Sequence, residues 1–257
     1  MWHVGLRLPW TWRLGPSNTS ERTHVMQMIE EEKFPENTLF CGDAGFVGYE
    51  LWALILKCKF EFLVRVGGNV RLLVEQGNVV PKNNMTGLSW PEHAVRSQQT
   101  PLRLRLVRVK IGRTEMWLLT SVMDKSKQSL DQIRELYKQR WGIEVEFRGL
   151  KQTLDKSKLR CRNSHRVAVE LHWSLIAMAA AELAALKEQL GGRRNPASQP
   201  NSKGRTMLNH EESSCRSLAA SVRASCYALS NLHDTPPDNE TLRARLKRAV
   251  VVRLAVC

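Results

Sequence analysis

The chain has 257 residues, and its apolar fraction of 42% is high enough for a buried core, which excludes a wholly disordered protein. Its 39 lysine and arginine residues exceed its 25 aspartate and glutamate residues, so the formal net charge is +14. A charge of this size predicts a polyanionic partner, with DNA or RNA as the first expectation and an acidic membrane surface as the second.

Several classes of protein are not indicated. The six cysteines show neither a CxxC pair nor a regular spacing, so we predict free thiols rather than a disulfide framework or a zinc site. The most apolar segment, residues 167–190, contains charged residues and is interpreted as a buried Ala/Leu-rich helix. Neither a signal peptide, a P-loop nor a GxSxG elbow is recognisable. We therefore expect a cytoplasmic, nucleoid-associated protein without a membrane span.

The first 66 residues predict helices alternating with strands, the rhythm of an α/β core. Short apolar runs such as 38–42 are typical of strands buried on both faces. The predicted elements are two short strands in residues 1–16, a helix from 20 to about 32, strands over 38–42 and 60–66, and a helix over 49–57.

The segment from 67 to 125 has scattered glycines, prolines and short β-prone runs, and it is interpreted as a β-rich insertion. Within it, residues 102–110 alternate apolar and basic side chains, which predicts a strand with one buried and one basic face, paired with a strand over 116–122. The rest of the chain predicts helices over 126–154 and 166–190, a linker over 191–214, and short helices near 215–230 and 238–255. The resulting domain plan is 1–66, 67–125, 126–190 and 191–257.

A polar stripe is predicted on the helix 126–154, where successive side chains are rotated by about 100°. The stripe contains Tyr137, Arg140, Glu144 and Lys151. An apolar stripe beside it would dock on a core, and Glu146 would lie on the side opposite Glu144. The members of the apolar stripe are Leu136, Ile143, Phe147, Leu150 and Leu154.

A carboxylate between two cations has two interpretations. It can belong to a solvated helix face linked by salt bridges, or it can be a metal ligand flanked by groups that hold phosphates. Arginine makes bidentate phosphate contacts, lysine provides a point charge, and tyrosine provides a hydroxyl or a stacking ring. The residues of this helix by themselves leave both interpretations open.

The spacing Tyr-x2-Arg-x3-Glu-x6-Lys of these four residues resembles the signature of the DDE transposases of bacterial insertion sequences, in the family named for insertion sequence four. Residues 41–46, Cys-Gly-Asp-Ala-Gly-Phe, resemble the second-aspartate motif of that family, and residues 62–66 resemble the strand that follows it. The resemblance extends over about residues 1–190.

The resemblance implies an α/β fold with an RNase H-like core of the retroviral-integrase type, and a β-rich insertion before the glutamate-bearing helix. It also implies two Asp and one Glu that hold Mg²⁺ or Mn²⁺ ions, which activate water or a 3′-hydroxyl for attack on a DNA phosphodiester. Asp43 would be the second carboxylate and Glu144 the third, as catalytic residues and metal ligands.

The same resemblance implies a DNA-binding set. Tyr137, Arg140 and Lys151 would hold phosphates at the transposon end, and Arg148 adds a further positive charge. Trp141 has two interpretations, a ring that stacks on a base or one packed at the edge of the core. Around these residues, the segment 138–166 has nine basic and three acidic residues, a net charge of +6.

The sequence departs from the family pattern at the first aspartate. None of the other aspartates lies on a predicted first core strand; they are Asp124, Asp131, Asp155, Asp234 and Asp238. We therefore interpret the chain as an N-terminally truncated transposase that binds Mg²⁺ weakly and cleaves DNA little or not at all by itself.

Two other functions are kept beside this one. The chain could be a non-catalytic transposase that inhibits by binding element ends or the full-length enzyme, or it could be an unrelated basic nucleic-acid-binding protein. The expected partners are the terminal inverted repeats, target DNA and a second copy of the chain on the DNA.

Overall fold

The computed structural model describes residues 1–16, 18–67, 73–74, 77–78, 85–89, 100–192 and 218–230. The chain divides into two compact units, one made of residues 13–141 and one made of residues 1–12 with 142–257. Both helices and strands are present, so the predicted α/β class is confirmed as a mixed α/β structure. The predicted helix over 238–255 and most of the predicted linker lie outside the described residues.

The described elements are short strands and mostly short helices. The strands are β1 (Trp2–His3), β2 (Leu8–Pro9), β3 (Leu39–Gly42), β4 (Glu61–Val66), β5 (Leu73–Val74), β6 (Gly77–Asn78), β7 (Met85–Ser89), β8 (Leu102–Ile111) and β9 (Thr114–Thr120). The helices are α1 (Glu21–Glu31), α2 (Tyr49–Lys57), α3 (Leu130–Gln139), α4 (Gly142–Arg148), α5 (Ser164–Gly192) and α6 (Leu218–Ser230), with a 3-10 turn over Ala44–Phe46 and a π-helical turn over Gly149–Thr153.

One sheet of seven strands, in the order β3-β4-β9-β8-β7-β5-β6, organises the unit 13–141. β3 and β4 are parallel, with Gly42 opposite Val64, and α2 forms the crossover that a parallel pair requires. The remaining pairs are antiparallel, beginning with β4 against β9, where Leu63 lies opposite Thr120. The strands of the segment 67–125 therefore continue the sheet that contains β3 and β4.

β4 is buried on both faces, which confirms the prediction for residues 60–66. On one face, Leu63 belongs to a core cluster with Ile133 and Tyr137 of α3. On the other face, the ring of Phe62 stacks on Trp52 of α2, with the ring centroids 5.5 Å apart. The side chains alternate between the faces, as the pleat of a strand requires.

β3 differs from its prediction, because only Gly42 among its residues is buried. The strand lies at the end of the strand order and pairs with β4 alone among the described strands. A strand with one neighbour keeps its side chains half exposed, so the apolar run 38–42 does not form a strand buried on both faces.

Two helix starts are fixed by side-chain caps. The Ser20 hydroxyl accepts a hydrogen bond from the Thr23 backbone N–H at 3.1 Å, as the sequence predicts. Ser129 and Gln132 form a capping box at the start of α3, where each side chain accepts a hydrogen bond from the other residue's backbone. The direction in which α3 crosses the sheet is thus set at its first turn.

β8 does not have the simple basic face that its alternation predicts. Arg105 is only 2% exposed, and its guanidinium donates to the Gln128 carbonyl oxygen at 2.8 Å. The Gln128 side chain in turn accepts a hydrogen bond from the Thr120 hydroxyl at 3.0 Å. The segment 104–107 is buried without interruption, because helix α3 packs against the face on which Val107 and Arg105 lie.

The unit made of residues 1–12 and 142–257 begins with the predicted pair of short strands, β1 and β2, which are antiparallel. Met178 and Ala181 of α5 pack against Val222 of α6. The rest of α5 is not the buried helix that we predicted, since Trp173 is 67% exposed. Only 17% of its apolar segment Ser164–Lys187 is buried. Among the described residues, α5 is the one helix that is long and apolar enough to cross a membrane, by length and composition alone.

The core cluster on the α3 face of the sheet gives a stability prediction. Leu63→Ala removes a fully buried side chain from that cluster, so the free energy of unfolding should fall by about 2–5 kcal/mol. The measurement is urea denaturation, with Met123→Ala, which truncates an exposed side chain, as the control. Equal midpoints for the two variants would contradict the assignment of Leu63 to the core.

Candidate functional site

The carboxyl ends of β3 and β4 meet at one edge of the sheet because the two strands are parallel. Gly42 is opposite Val64, so the next residues along the two strands are Asp43 and Arg65. Cys41 and Leu63 lie two residues before Asp43 and Arg65, and their side chains point to the same face of the sheet. Both belong to the core cluster that α3 covers. The pairing therefore places Asp43 and Arg65 at the edge of the α3 face.

Asp43 caps the 3-10 turn that follows β3. Its Oδ1 accepts a hydrogen bond from the Gly45 backbone N–H at 2.8 Å, and its side chain is exposed. The other oxygen, Oδ2, accepts no hydrogen bond from the described residues. The carboxylate is thus fixed by one oxygen and available through the other.

Tyr137 and Arg140 reach the same edge from the end of α3. Tyr137 is buried in the core cluster, whereas the Arg140 guanidinium lies over its ring, with the Cζ atom 5.3 Å from the ring centroid. Burial raises the pKa of the Tyr137 hydroxyl, and the Asp43 carboxylate acts in the same direction. The positive charges of Arg140 and Arg65 act in the opposite direction. The hydroxyl remains protonated at neutral pH and can donate a hydrogen bond to an anion.

Cys41 lies in the same surroundings, and its thiol is protonated at neutral pH. Burial raises the pKa of its thiol to about 12, although the nearby Arg140 guanidinium lowers it. A thiol with such a pKa is protonated at neutral pH and is therefore a poor nucleophile. The exposed charged group that follows β3 at this edge of the sheet is the carboxylate of Asp43.

The continuous helix predicted over 126–154 is wrong, because α3 ends at Gln139. The Arg140 and Trp141 backbone N–H groups donate to carbonyl oxygens three residues earlier, each at 3.2 Å, and α4 begins at Gly142. A Cβ atom on residue 142 would overlap the ring of Trp2, so glycine is required where the new helix starts. The angular positions calculated for one helix therefore do not hold past Arg140.

The segment after the break also buries a different set of side chains from the predicted one. Glu146 is only 8% exposed, whereas Phe147 of the predicted apolar stripe is 55% exposed. Leu150 and Leu154 do pack against the α5 and α6 cluster, as predicted. The π-helical turn, in which the Leu154 N–H donates to the Gly149 carbonyl oxygen five residues earlier, changes the rotation of the chain relative to an α-helix.

The predicted site residues are divided between the two units. Residues 13–141 contain Asp43, Tyr137, Arg140 and Trp141, and the first three share the edge described above. Trp141 is 51% exposed, so the alternative of a packed core edge does not hold for its ring. The other unit contains Glu144, half buried in the first turn of α4, with Arg148 and Lys151 exposed on the turns that follow.

Sequence reasoning missed two residues of interest. Arg65 is the exposed charge inside the otherwise buried run 62–66, and a single charge within an apolar run was the available signal. Glu170 forms an ion pair with Lys156 at 2.7 Å and accepts a hydrogen bond from the Arg160 backbone N–H at 3.2 Å. It therefore fixes the exposed basic loop 156–162 against α5, and no sequence motif indicates this.

Divalent metal ions prefer carboxylate oxygens, and Asp43 and Glu144 are ligands of that kind. Among the described residues there is no group of three or more His, Cys, Asp or Glu side chains that could hold a metal. The residues thus match the chemistry of a Mg²⁺ or Mn²⁺ site in donor type, while the described part of the chain supplies fewer ligands than a complete site needs.

Comparisons with known proteins give a consistent family. Residues 5–180 match the family described as "Transposase DDE domain". The chain is 30% identical over 147 residues to y4zB, a candidate transposase of Sinorhizobium fredii, and covers 41% of its length. It is 24% identical over 165 residues to a candidate transposase for insertion sequence element IS4SA of Synechocystis, and covers 45% of its length. These matches include 56% and 62% of this chain.

The chain thus spans less than half of the length of these curated relatives. A solved structure, the piggyBac transposase synaptic complex with hairpin DNA, aligns with 98% of this chain and 50% of its own chain. The TM-score of that alignment is 0.45, and the sequence identity is 11%.

The ion pair of Glu170 predicts a pH dependence. Hydrogen bonding and the charge of Lys156 hold the pKa of Glu170 below its usual value. A carboxylate with a lowered pKa stabilises the folded state at neutral pH, and this contribution is lost as the pH falls below about 4. The free energy of unfolding of the wild type should therefore exceed that of Glu170→Gln at pH 7, and the difference should shrink towards pH 3.

Glu135→Gln provides the control, since it removes a carboxylate from an exposed pair with Lys138. Its effect should stay within about 0.5 kcal/mol at neutral pH. A Glu170→Gln chain as stable as the wild type at pH 7 would show that the ion pair with Lys156 does not fix the loop.

Proposed function

The chain belongs to the family of transposase DDE domains, and from this premise we propose that it binds the terminal inverted repeats of an insertion sequence and takes part in metal-dependent DNA strand cleavage and transfer. The proposal includes the finer assignments made from the sequence, namely the family named for insertion sequence four and an RNase H-like core. It also includes a homodimer on the DNA, since an insertion sequence has two ends to bring together.

The observation that carries the proposal is the convergence at the carboxyl edge of β3 and β4. There the Asp43 carboxylate is exposed and fixed through one oxygen, and its charge, like that of Arg140, acts on the pKa of the Tyr137 hydroxyl. Ligands of α/β proteins bind at the carboxyl ends of parallel strands, where side chains from several elements meet. A carboxylate beside a guanidinium and a neutral phenol suits a phosphodiester with an associated cation.

Each residue has a role in this proposal. Asp43 and Glu144 would hold Mg²⁺ or Mn²⁺, which when bound supplies activation of a hydroxyl and neutralisation of phosphate charge. The Arg140 guanidinium binds the phosphate through two parallel N–H groups, and the protonated Tyr137 hydroxyl donates a further hydrogen bond. Burial of Tyr137 keeps this donor in place.

Residues of α4 and the π-helical turn would supply further contacts to the DNA backbone. Lys151 and Arg148 are exposed and add positive charge, and the half-exposed ring of Trp141 is free to stack on a base. The basic loop 156–162, held by Glu170, continues the same positively charged segment. These residues contribute affinity without reading the base sequence.

The number of carboxylates limits the chemistry. Asp43 and Glu144 are the two carboxylates to which the proposal gives a metal, and two carboxylates bind Mg²⁺ weakly because water must fill the other positions. We therefore expect residues 1–257 by themselves to bind DNA well and to cleave it slowly. The alternative function, a non-catalytic inhibitor that binds element ends, differs in having no metal-dependent cleavage at all.

DNA binding by the chain should depend steeply on salt. If the basic segment contacts 6–10 phosphates, the affinity for a duplex should fall about 10³–10⁵-fold between 50 and 200 mM salt. Fluorescence anisotropy with a labelled duplex that carries the terminal repeat flanking the coding sequence measures this slope. An affinity that does not change with salt would contradict the proposed phosphate contacts.

The two carboxylates should affect cleavage and binding differently. Asp43→Asn and Glu144→Gln should abolish the slow nicking of the terminal repeat in Mn²⁺, whereas DNA affinity without metal should be unchanged or higher, because a negative charge is removed. Asp131→Asn removes an exposed carboxylate from the opposite end of α3 and should leave both readouts unchanged.

Three outcomes of this experiment decide between the functions. Nicking by Asp43→Asn at the wild-type rate would refute Asp43 as a metal ligand. Binding by the wild type with no nicking in either metal would favour the inhibitor. Fast multiple-turnover nicking by the wild type would contradict the shortage of carboxylates.

A further inference from the structure

Arg65 occupies an unusual position in β4. Its neighbours Val64 and Val66 are buried on the opposite face, whereas Arg65 itself is exposed at the end of the face that Leu63 and α3 bury. An exposed, charged side chain near the end of a buried strand does not add to the core. Its position is explained instead by what lies beside it at the edge of the sheet.

The strand register places Arg65 beside Asp43. Gly42 pairs with Val64, and in a parallel pair the following residues of both strands continue on the same face. The α3 face at this edge therefore contains Asp43 from β3 and Arg65 from β4. The charges of both residues act on the pKa of the Tyr137 hydroxyl, in agreement with the register.

Arg65 has no partner that would explain it as a structural residue. Its guanidinium forms no hydrogen bond or ion pair with the described residues, and no salt bridge within 4.0 Å joins it to Asp43. Arg105 on the same face shows the contrast, since its guanidinium is buried and donates to the Gln128 carbonyl oxygen. The donors of Arg65 are thus available to a ligand.

The balance of charges identifies the kind of ligand. Two guanidinium groups, Arg65 and Arg140, act on the Tyr137 hydroxyl together with one carboxylate, Asp43. The cluster carries an excess positive charge, and the N–H groups of Arg65 match a phosphate in geometry. An anion with several acceptor oxygens complements this arrangement.

We propose that Arg65 is a phosphate-binding residue, which together with Arg140 grips the DNA backbone next to Asp43. This inference rests on the proposed function, in which the same edge of the sheet binds a phosphodiester. It adds a residue outside the Tyr-Arg-Glu-Lys spacing, supplied by β4, the strand next to β3, which Asp43 follows.

The test measures the salt dependence of DNA binding by the full chain, since each lost phosphate contact changes the slope by a known amount. Arg65→Gln should reduce the slope of log affinity against log salt by about 0.9, and affinity at low salt should fall about tenfold. Arg65→Lys retains the charge, so it should restore the slope while recovering only part of the affinity.

Arg103→Gln is the matched control. Arg103 is also an exposed arginine on a strand of this sheet, but the register places it level with the amino end of β4. Its affinity should stay within about twofold of the wild type and its slope should not change. Thermal melting of each variant establishes that the folded state is retained, because an exposed arginine without a partner contributes little to stability.

The remaining outcomes separate this inference from the proposed function. If Arg140→Gln reduces the slope and Arg65→Gln does not, the role of Arg65 is refuted and the site itself stands. If Arg103→Gln weakens binding as much as Arg65→Gln, the effect is one of net charge and the inference is again refuted. If the wild-type chain does not bind the duplex at low salt, both the inference and the proposed function are wrong.

Discussion

The parallel pairing of β3 with β4 is the constraint on which the candidate site depends. The register is set over four residue pairs, and it alone brings the ends of two strands that are separated along the chain to one edge of the sheet. Gly42 permits the sharp exit from β3, because a Cβ atom there would lie 3.1 Å from Cβ of Phe46 in the turn that follows. A shift of the register by one residue would move Asp43 and Arg65 to different faces.

Helix α3 packs on the face of the sheet that contains Leu63 and supplies the other residues of the site. Its capping box fixes the first turn, and its side chains Ile133 and Tyr137 are buried against the sheet. Arg140 is the cap residue at its carboxyl end. A cation at the carboxyl end of a helix is stabilised by the helix dipole, so the guanidinium is held at the point where it lies over the Tyr137 ring. The packing of the core and the position of the charges are therefore determined by the same helix.

Much of this was accessible from the sequence, and the failures have physical causes. Periodicity and caps predicted α1, α2 and β4, and the segment 41–46 correctly indicated an aspartate at the end of a strand. The prediction of a single helix over 126–154 was wrong, because it assumed the same rotation per residue along the whole segment. The contact of Gly142 with the Trp2 ring and the π-helical turn arise from tertiary packing, which the spacing of residues in the sequence does not reveal. The exposure of Phe147 and the burial of Arg105 have the same origin, since each depends on which neighbouring element covers the residue.

The break after Arg140 changes what the Tyr-x2-Arg-x3-Glu-x6-Lys spacing measures. Tyr137 and Arg140 are related through the last turn of α3, where hydrogen bonds to carbonyl oxygens three residues earlier bring the guanidinium onto the phenol ring. Glu144 and Lys151 are related through α4 and a turn with wider hydrogen-bonded rings, so their separation differs from that on an ideal helix. The spacing therefore describes two short segments, each with its own geometry, and not one face of a rod. π-Helical turns are rare and frequently occur at functional sites, and here the turn contains Lys151, one of the cations of the proposed phosphate contact.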